Sequence, residues 1–125
     1  MILDSDVLID LLRNKPSALA WFASLPTKPN LSGVAVLEVT FGARDLAELR
    51  RIEAFLHGLP VLLPEPADFR LAASYARLRL SNGMGILDAL TAALAIRTGE
   101  PLVTFNVKHF AAVPGLATTQ PYSRK

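Results

Sequence analysis

Three acidic residues of the chain lie in surroundings too apolar for ordinary surface charge. Asp4 directly follows the apolar residues 1–3, Glu38 lies inside the run SGVAVLEVTFG, and Asp88 opens an alanine-rich segment. A buried carboxylate without compensation is costly, so each is expected to meet a cation or to have a raised pKa. Oxygen ligands gathered without His or Cys clusters suit Mg²⁺ or Mn²⁺. One or two such ions would serve the hydrolysis of phosphodiester bonds.

Each carboxylate also has a purely structural explanation. Ser5 can cap the helix that follows Asp4, and Asp6 in the first turn of that helix favours the helix dipole. Glu38 can pair with a surface arginine, and Asp88 can serve the dipole of its own helix. A metal site is favoured because gathered carboxylates repel one another unless a cation binds between them.

The composition is that of an ordinary globular protein. With 125 residues, of which 51% are hydrophobic and 19% charged, the chain is expected to form a single domain over residues 1–125. The absence of cysteine excludes disulfides and thiolate zinc sites and fits a reducing, cytoplasmic compartment. No apolar run approaches the roughly 20 residues of a membrane span. A formal net charge of +2 does not by itself indicate a nucleic-acid binder.

Short apolar strands alternate with helices along the chain. Strands are predicted at 1–4, 60–64, 101–105 and 116–119, and helices at 6–13, 16–25, 45–57, 66–82 and 86–98. The β-branched run 32–42 predicts a strand by propensity, although a helix from Ser32 is the alternative. The helix at 66–82 is expected to turn five residues inward, namely Phe69, Ala72, Ala73, Ala76 and Leu80.

This alternation predicts an α/β fold of three layers, in which helices cover both faces of a parallel sheet. In such folds functional residues gather beyond the carboxyl ends of the strands. Asp4, Thr104 and Asn106 all fall at predicted strand ends, which is a second indication of a site.

Four segments, in this order, resemble the PIN-domain ribonucleases and, more narrowly, the VapC-type toxins of type II toxin–antitoxin pairs. They are ILDSDVLIDLL, SGVAVLEVTFGA, GILDALTAALAIRTG and LVTFNVKHF, which together span residues 2–110. The resemblance implies a PIN-like three-layer α/β/α sandwich around a short parallel sheet, with an acidic pocket at the carboxyl edge. It also implies that the segment around Glu38 is helical.

The resemblance further implies an Mg²⁺- or Mn²⁺-dependent endoribonuclease with Asp4, Glu38 and Asp88 as catalytic metal ligands. Four supporting residues are implied beside them: Ser5, Asp6, Thr104 and Asn106. Asn106 occupies the position of a fourth acidic residue and is expected to be a ligand, but its amide brings no charge. Whether one or two ions bind therefore stays open. The implied partners are an RNA substrate, an antitoxin that covers the acidic groove and a second copy of the chain in a homodimer.

Other polar residues receive weaker interpretations. Five arginines are candidates for following an RNA backbone from the pocket mouth: Arg13, Arg44, Arg77, Arg79 and Arg97. Lys108 is expected to be a surface residue, and His57 and His109 are expected to be isolated and solvated.

Three alternatives to a ribonuclease remain. ILDSDV also resembles the motif of haloacid-dehalogenase-type phosphatases, with Asp4 as the covalent nucleophile and Asp6 as the acid/base. A phosphoacceptor receiver domain is the second alternative, for which Thr104 and Lys108 stand in suggestive places. The third is an inactive PIN domain kept as a binding module, which the amide at Asn106 makes possible.

Overall fold

The computed structural model describes residues 1–124, which form five short strands and eight helices. The strands are β1 (Ile2–Leu3), β2 (Asn30–Ser32), β3 (Val61–Leu62), β4 (Leu102–Val103) and β5 (Thr118–Thr119). The helices are α1 (Ser5–Leu12), α2 (Pro16–Ala23), α3 (Gly33–Phe41), α4 (Leu46–Leu56), α5 (Pro66–Ser74), α6 (Ala76–Asn82), α7 (Ile86–Thr98) and α8 (Val107–Phe110).

All five strands are parallel, and their spatial order is β3-β2-β1-β4-β5. The register pairs Leu3 of β1 with Val103 of β4. The residues that follow these strands, Asp4 and Thr104, therefore leave the sheet side by side at its carboxyl edge. The predicted clustering of strand ends at one edge is a direct result of this parallel register.

Apolar side chains cover both faces of the sheet because neighbouring residues of a strand point to opposite faces. Leu3 and Val103 pack with residues of α1 to α4 in one buried cluster. Ile2 and Leu102 pack with residues of α5 to α8 in the other. The predicted three-layer α/β/α architecture is confirmed.

Most predicted elements agree with the structure to within two residues at each end, and α7 has the predicted bounds. Gly99 ends α7 in the left-handed conformation (φ 69°), which glycine adopts without strain. The sequence pattern did not predict β2 or α8. None of the helices formed by residues 1–124 is long and apolar enough to cross a bilayer.

The strand predicted by propensity at 32–42 is wrong, because this segment forms α3. The side chain of Ser32 caps the helix by accepting a hydrogen bond from the Ala35 N–H at 3.0 Å. Val34, Ala35 and Val39 are buried, so tertiary packing overrides the β propensity of this run. The strand of this region is instead the short β2, directly before the cap.

The long helix predicted at 66–82 is interrupted at Tyr75, which leaves the helical conformation (φ −86°, ψ 3°) and buries its ring in the core. The redirected α6 holds Leu80 in solvent, with 91% of the residue exposed, and Phe69 on α5 is exposed as well. The predicted inward face is therefore wrong for both, and also for Ala73 and Ala76, which are exposed. Ala72 is partly buried against the core as expected.

Asp68 fastens α5 to the end of α7. Its carboxylate is fully buried, and it accepts hydrogen bonds from the Glu65 N–H at 2.8 Å and from Arg97 Nε at 2.6 Å. Burial alone would raise the pKa of Asp68, but the hydrogen bonds from Arg97 and from the Glu65 backbone outweigh it, and the pKa is lowered. The ionised carboxylate therefore stabilises the folded state.

Asp68→Asn is expected to lower the free energy of unfolding at pH 7 by about 2–3 kcal/mol, since it removes a charged hydrogen-bond acceptor. The stabilisation is complete above the ordinary aspartate pKa of about 3.9 and is lost as the pH falls through the lowered pKa. The difference between wild type and variant should therefore shrink in acid. Urea denaturation at pH 7 and pH 3 measures it, with Glu53→Gln, at an exposed position of α4, as the control. A difference that grows in acid would contradict the assignment.

Candidate active site at the carboxyl edge of the sheet

Asp4 stands at the centre of the carboxyl edge and is only 8% exposed. As the N-cap of α1, its Oδ1 accepts a hydrogen bond from the Ser5 N–H at 2.9 Å. Its Oδ2 accepts one from the Thr104 hydroxyl at 2.7 Å. Burial and the negative charge of Asp6 raise the pKa of Asp4 to about 6, against the lowering effect of these hydrogen bonds. Asp4 is thus a carboxylate held in place without a charged partner among its hydrogen-bond donors.

Asp6 lies beside Asp4 on the first turn of α1. Its Oδ2 accepts a hydrogen bond from the Phe105 N–H at 3.1 Å, and the Thr104 hydroxyl is 3.4 Å away. The other oxygen, Oδ1, is buried and has no hydrogen-bond partner among the described residues. Burial raises the pKa of Asp6, although the N–H groups of Phe105 and Val7 work against it. An unsatisfied buried carboxylate oxygen is costly, so it is suited to a cation or an added donor.

Thr104 links the two strand ends. It is fully buried, and its hydroxyl donates to Asp4 while accepting a hydrogen bond from the Asn106 N–H at 3.0 Å. One side chain therefore fixes both the central carboxylate and the turn that leads into α8. Asn106 is exposed directly before α8.

Glu38 and Asp88 approach this edge from α3 and α7. Glu38 is exposed rather than buried, so the expectation of an apolar burial site for it was wrong. Its pKa is nevertheless raised, by partial desolvation first and then by the negative charges of Asp88 and Asp6, while the nearby Ser5 hydroxyl lowers it. Asp88 also contributes to the raised pKa of Asp4. The structure thus brings all predicted acidic residues into one electrostatic environment.

These side chains do not form a closed coordination shell. Among residues 1–124, no three Asp, Glu or His side chains are placed as a ready group of metal ligands. The donor chemistry nevertheless fits a hard divalent cation, because it consists of carboxylate oxygens, one of them buried and unsatisfied at Asp6.

His109 is a residue of this edge that the sequence did not reveal. It was expected to be isolated and solvated, but its Nε2 lies 3.0 Å from Asp88 Oδ2. The ring of Phe110 stands edge-on to it at 5.9 Å. The short helix α8 turns His109 toward the first turn of α7, and because α8 was not predicted, no sequence signal indicated this contact. Lys108 and His57 are exposed, as expected.

A groove of about 700 Å³ lies between α1, α3 and α4, and Glu38, Arg13 and Arg44 are among its lining residues. Arg44 is paired with Glu48 at 2.9 Å. The other arginine candidates lie elsewhere: Arg97 is held by Asp68 and Glu65, Arg79 lines a separate apolar cavity, and Arg77 is exposed on α6. Of the five, Arg13 and Arg44 are thus the ones that line the groove.

A parallel sheet between two helical layers, with acidic residues from β1, α1, α3 and α7 near its carboxyl edge, defines the architectural class of this protein. The family model described as the PIN domain matches residues 1–116. Ribonuclease VapC19 of Mycobacterium tuberculosis is 32% identical over 120 residues, which covers 92% of this chain and 95% of that protein. The chain belongs to the PIN-domain family, so the phosphatase and receiver alternatives are set aside.

Solved structures show the same fold. A toxin–antitoxin complex from Klebsiella pneumoniae contains a chain with a TM-score of 0.80 and 24% identity, and the match covers 98% of both chains. DNA-bound VapBC from Salmonella typhimurium gives a TM-score of 0.82 at 24% identity over 97% of both chains. VapBC-1 from nontypeable Haemophilus influenzae gives 0.76 at 25% identity over 96% of both chains.

Thr104→Val, which keeps the shape of the side chain but removes its hydroxyl, is expected to raise the pKa of Asp4 above the wild-type value of about 6. The free energy of unfolding should fall by about 1–2 kcal/mol, because Asp4 and the Asn106 N–H both lose a partner. NMR titration of the Asp4 carboxyl carbon in metal-free protein measures the first effect. Thr104→Ser, which keeps the hydroxyl, is the control. An Asp4 pKa that is the same in the valine variant would contradict the hydrogen bond's role.

Proposed function

We propose that this chain is an Mg²⁺- or Mn²⁺-dependent endoribonuclease that acts as the toxin of a type II toxin–antitoxin pair in the cytoplasm. The observation that carries the proposal is the group of four carboxylates at one sheet edge, where burial first and then the negative charges of Asp6 and Asp88 raise the pKa of Asp4 and of Glu38. The similarity to a protein named Ribonuclease VapC19 over most of the chain supports it.

Asp4, Glu38 and Asp88 would hold the cation, and the exposed amide of Asn106 could add a neutral oxygen. Glu38 is exposed and can change rotamer to complete a ligand set around the rigid Asp4. Asp88, whose side chain is 35% exposed, would exchange its contact with His109 for the cation. A divalent ion bound there supplies a water of lowered pKa and neutralises charge on the phosphate. Asn106 stands at a position where the family resemblance implies an acidic residue. Its neutral amide lowers the negative charge of the site, which favours the binding of one ion over two.

The supporting residues hold this arrangement in place. Thr104 and the Ser5 N–H fix the two oxygens of Asp4, so that the central ligand loses little entropy on binding. The Ser5 hydroxyl lies near Glu38 and offsets part of the rise in the pKa of that carboxylate. Asp6 adds negative charge and the unsatisfied oxygen described above.

The partners follow from the surfaces around the site. We place the RNA backbone near Arg13 and Arg44, which line the same groove as Glu38. An antitoxin that covers the same edge would explain how a cell tolerates the enzyme, and the solved relatives described above include VapBC complexes. A homodimer is proposed because α5 and α7 expose Phe69 and Ile86, which line an apolar cavity of about 300 Å³.

Purified protein is expected to cleave RNA with Mg²⁺ or Mn²⁺ and to stop when a chelator is added. Asp4→Asn and Asp88→Asn should each lower the cleavage rate by at least about 100-fold, since each removes a charged ligand. Asparagine caps a helix as well as aspartate does, so Asp4→Asn keeps α1 intact. Asp45→Asn, at the exposed N-cap of α4, is the matched control and should remain active. Full activity of both site variants would contradict the assignment.

Induced expression of the wild-type chain in a bacterial host is expected to arrest growth, whereas Asp4→Asn and Asp88→Asn should not. Asp45→Asn should arrest growth as the wild type does. If the wild type and the site variants inhibit growth equally, the chain acts by binding rather than by cleavage. That outcome would favour the inactive PIN module, for which Asn106 is the supporting observation.

A further inference from the structure

A second buried carboxylate, Asp10, lies on α1 one helical turn after Asp6. It is 0% exposed, and three side chains meet it. The Tyr122 hydroxyl donates to Oδ2 at 2.9 Å, Arg124 Nη2 donates to Oδ1 at 2.7 Å, and Lys15 Nζ lies 3.4 Å from Oδ1. Burial alone would raise the pKa of Asp10, but these partners outweigh it and lower the pKa. The C-terminal segment is therefore fastened to α1 by charge-assisted hydrogen bonds.

Two of these partners, Tyr122 and Arg124, also pack against the ring of Phe105. The Arg124 guanidinium lies over the ring, 4.3 Å from its centroid, in a cation–π contact. The Tyr122 ring meets it edge-on at 5.0 Å, and Trp21 packs against Tyr122 at 6.4 Å. We call Tyr122 and Arg124, with their anchor Asp10, the C-terminal clasp.

Phe105 connects the clasp to the candidate active site. Its N–H donates to Asp6 Oδ2 at 3.1 Å, and its chain neighbours are Thr104 and Asn106. Contacts that fix the Phe105 ring therefore also fix the turn that carries the Thr104 hydroxyl, the Phe105 N–H and the Asn106 amide. The positive charge of Arg124 also acts on Asp6 and lowers its pKa in part, although burial dominates.

We propose that Tyr122 and Arg124 are positioning residues, which hold Asp6 and the turn after β4 in the geometry that binds the divalent cation. The inference rests on the proposed function. Both residues lie beyond residue 116, where the match to the PIN-domain model ends. The clasp acts through Phe105 and touches neither the cation nor the RNA.

The test compares Arg124→Gln with Arg97→Gln. Each variant removes an arginine from a fully buried aspartate, Asp10 or Asp68, so both should lose stability. Arg97 is matched but distant, because it lies nine positions after Asp88 on α7, about 13 Å along the helix axis. The two readouts are the Mn²⁺ affinity by calorimetry and the amide hydrogen exchange of Phe105 by NMR.

Arg124→Gln is expected to weaken Mn²⁺ binding by about tenfold and to speed exchange of the Phe105 amide, because supporting residues typically contribute this much to metal affinity. Arg97→Gln should change neither. Arg124→Lys, which keeps a charge for Asp10 but loses the planar stack on Phe105, should lie between the wild type and Arg124→Gln. Equal effects of Arg124→Gln and Arg97→Gln on both readouts would overturn the proposal.

The test still decides the proposal if Arg124→Gln does not fold or if the proposed function is wrong. If Arg124→Gln does not fold, Tyr122→Phe provides the same comparison, since it keeps the ring on Phe105 and removes only the hydroxyl. Tyr122→Phe should speed the hydrogen exchange of the Phe105 amide by less than tenfold relative to wild type. An exchange rate equal to that of the wild type would count against the clasp. If wild-type protein neither binds Mn²⁺ nor cleaves RNA, the proposed function fails, while the exchange rates of Phe105 still decide whether the clasp holds the turn.

Discussion

The parallel pairing of Leu3 with Val103 is the constraint on which the rest of the structure depends. It places Asp4 and Thr104 next to each other at the carboxyl edge, where their 2.7 Å hydrogen bond joins two strand ends that are 100 residues apart in the chain. Because Asp4 also caps α1, the same residue sets where that helix begins and where Asp6 and Asp10 lie on it. Sheet register, helix start and candidate site are therefore one structural unit.

The chain treats its buried carboxylates in two different ways. Asp10 and Asp68 are fully buried, each is paired with an arginine, and the pKa of each is lowered. Asp4 receives its hydrogen bonds from an N–H and a hydroxyl, and its pKa is raised to about 6. The first arrangement stabilises the fold, whereas the second leaves negative charge uncompensated. This uncompensated charge at the carboxyl edge of a parallel sheet is the feature on which the proposed cation site rests.

The sequence pattern predicted those features of the fold that depend on residues close together in the chain. Apolar strands, the bounds of α7 and the polar residues at strand ends were visible in the residues themselves, and the resemblance to PIN domains supplied the helix at Glu38. The interruption of the helix at Tyr75 was not predictable, because it results from burial of the Tyr75 ring in the core, which is a tertiary contact. The contact of His109 with Asp88 and the clasp on Asp10 join segments that are distant in the chain. The spacing of residues along the sequence does not predict such contacts.

The most direct measurement is a crystal structure of the protein grown with Mn²⁺, with the ion located by its anomalous scattering. The account predicts manganese at the carboxyl edge, bound by oxygens of Asp4 and Asp88, with Glu38 turned toward it from α3. Manganese absent from this edge at saturating concentration, with Glu38 and Asp88 directed away from Asp4 into solvent, would contradict it.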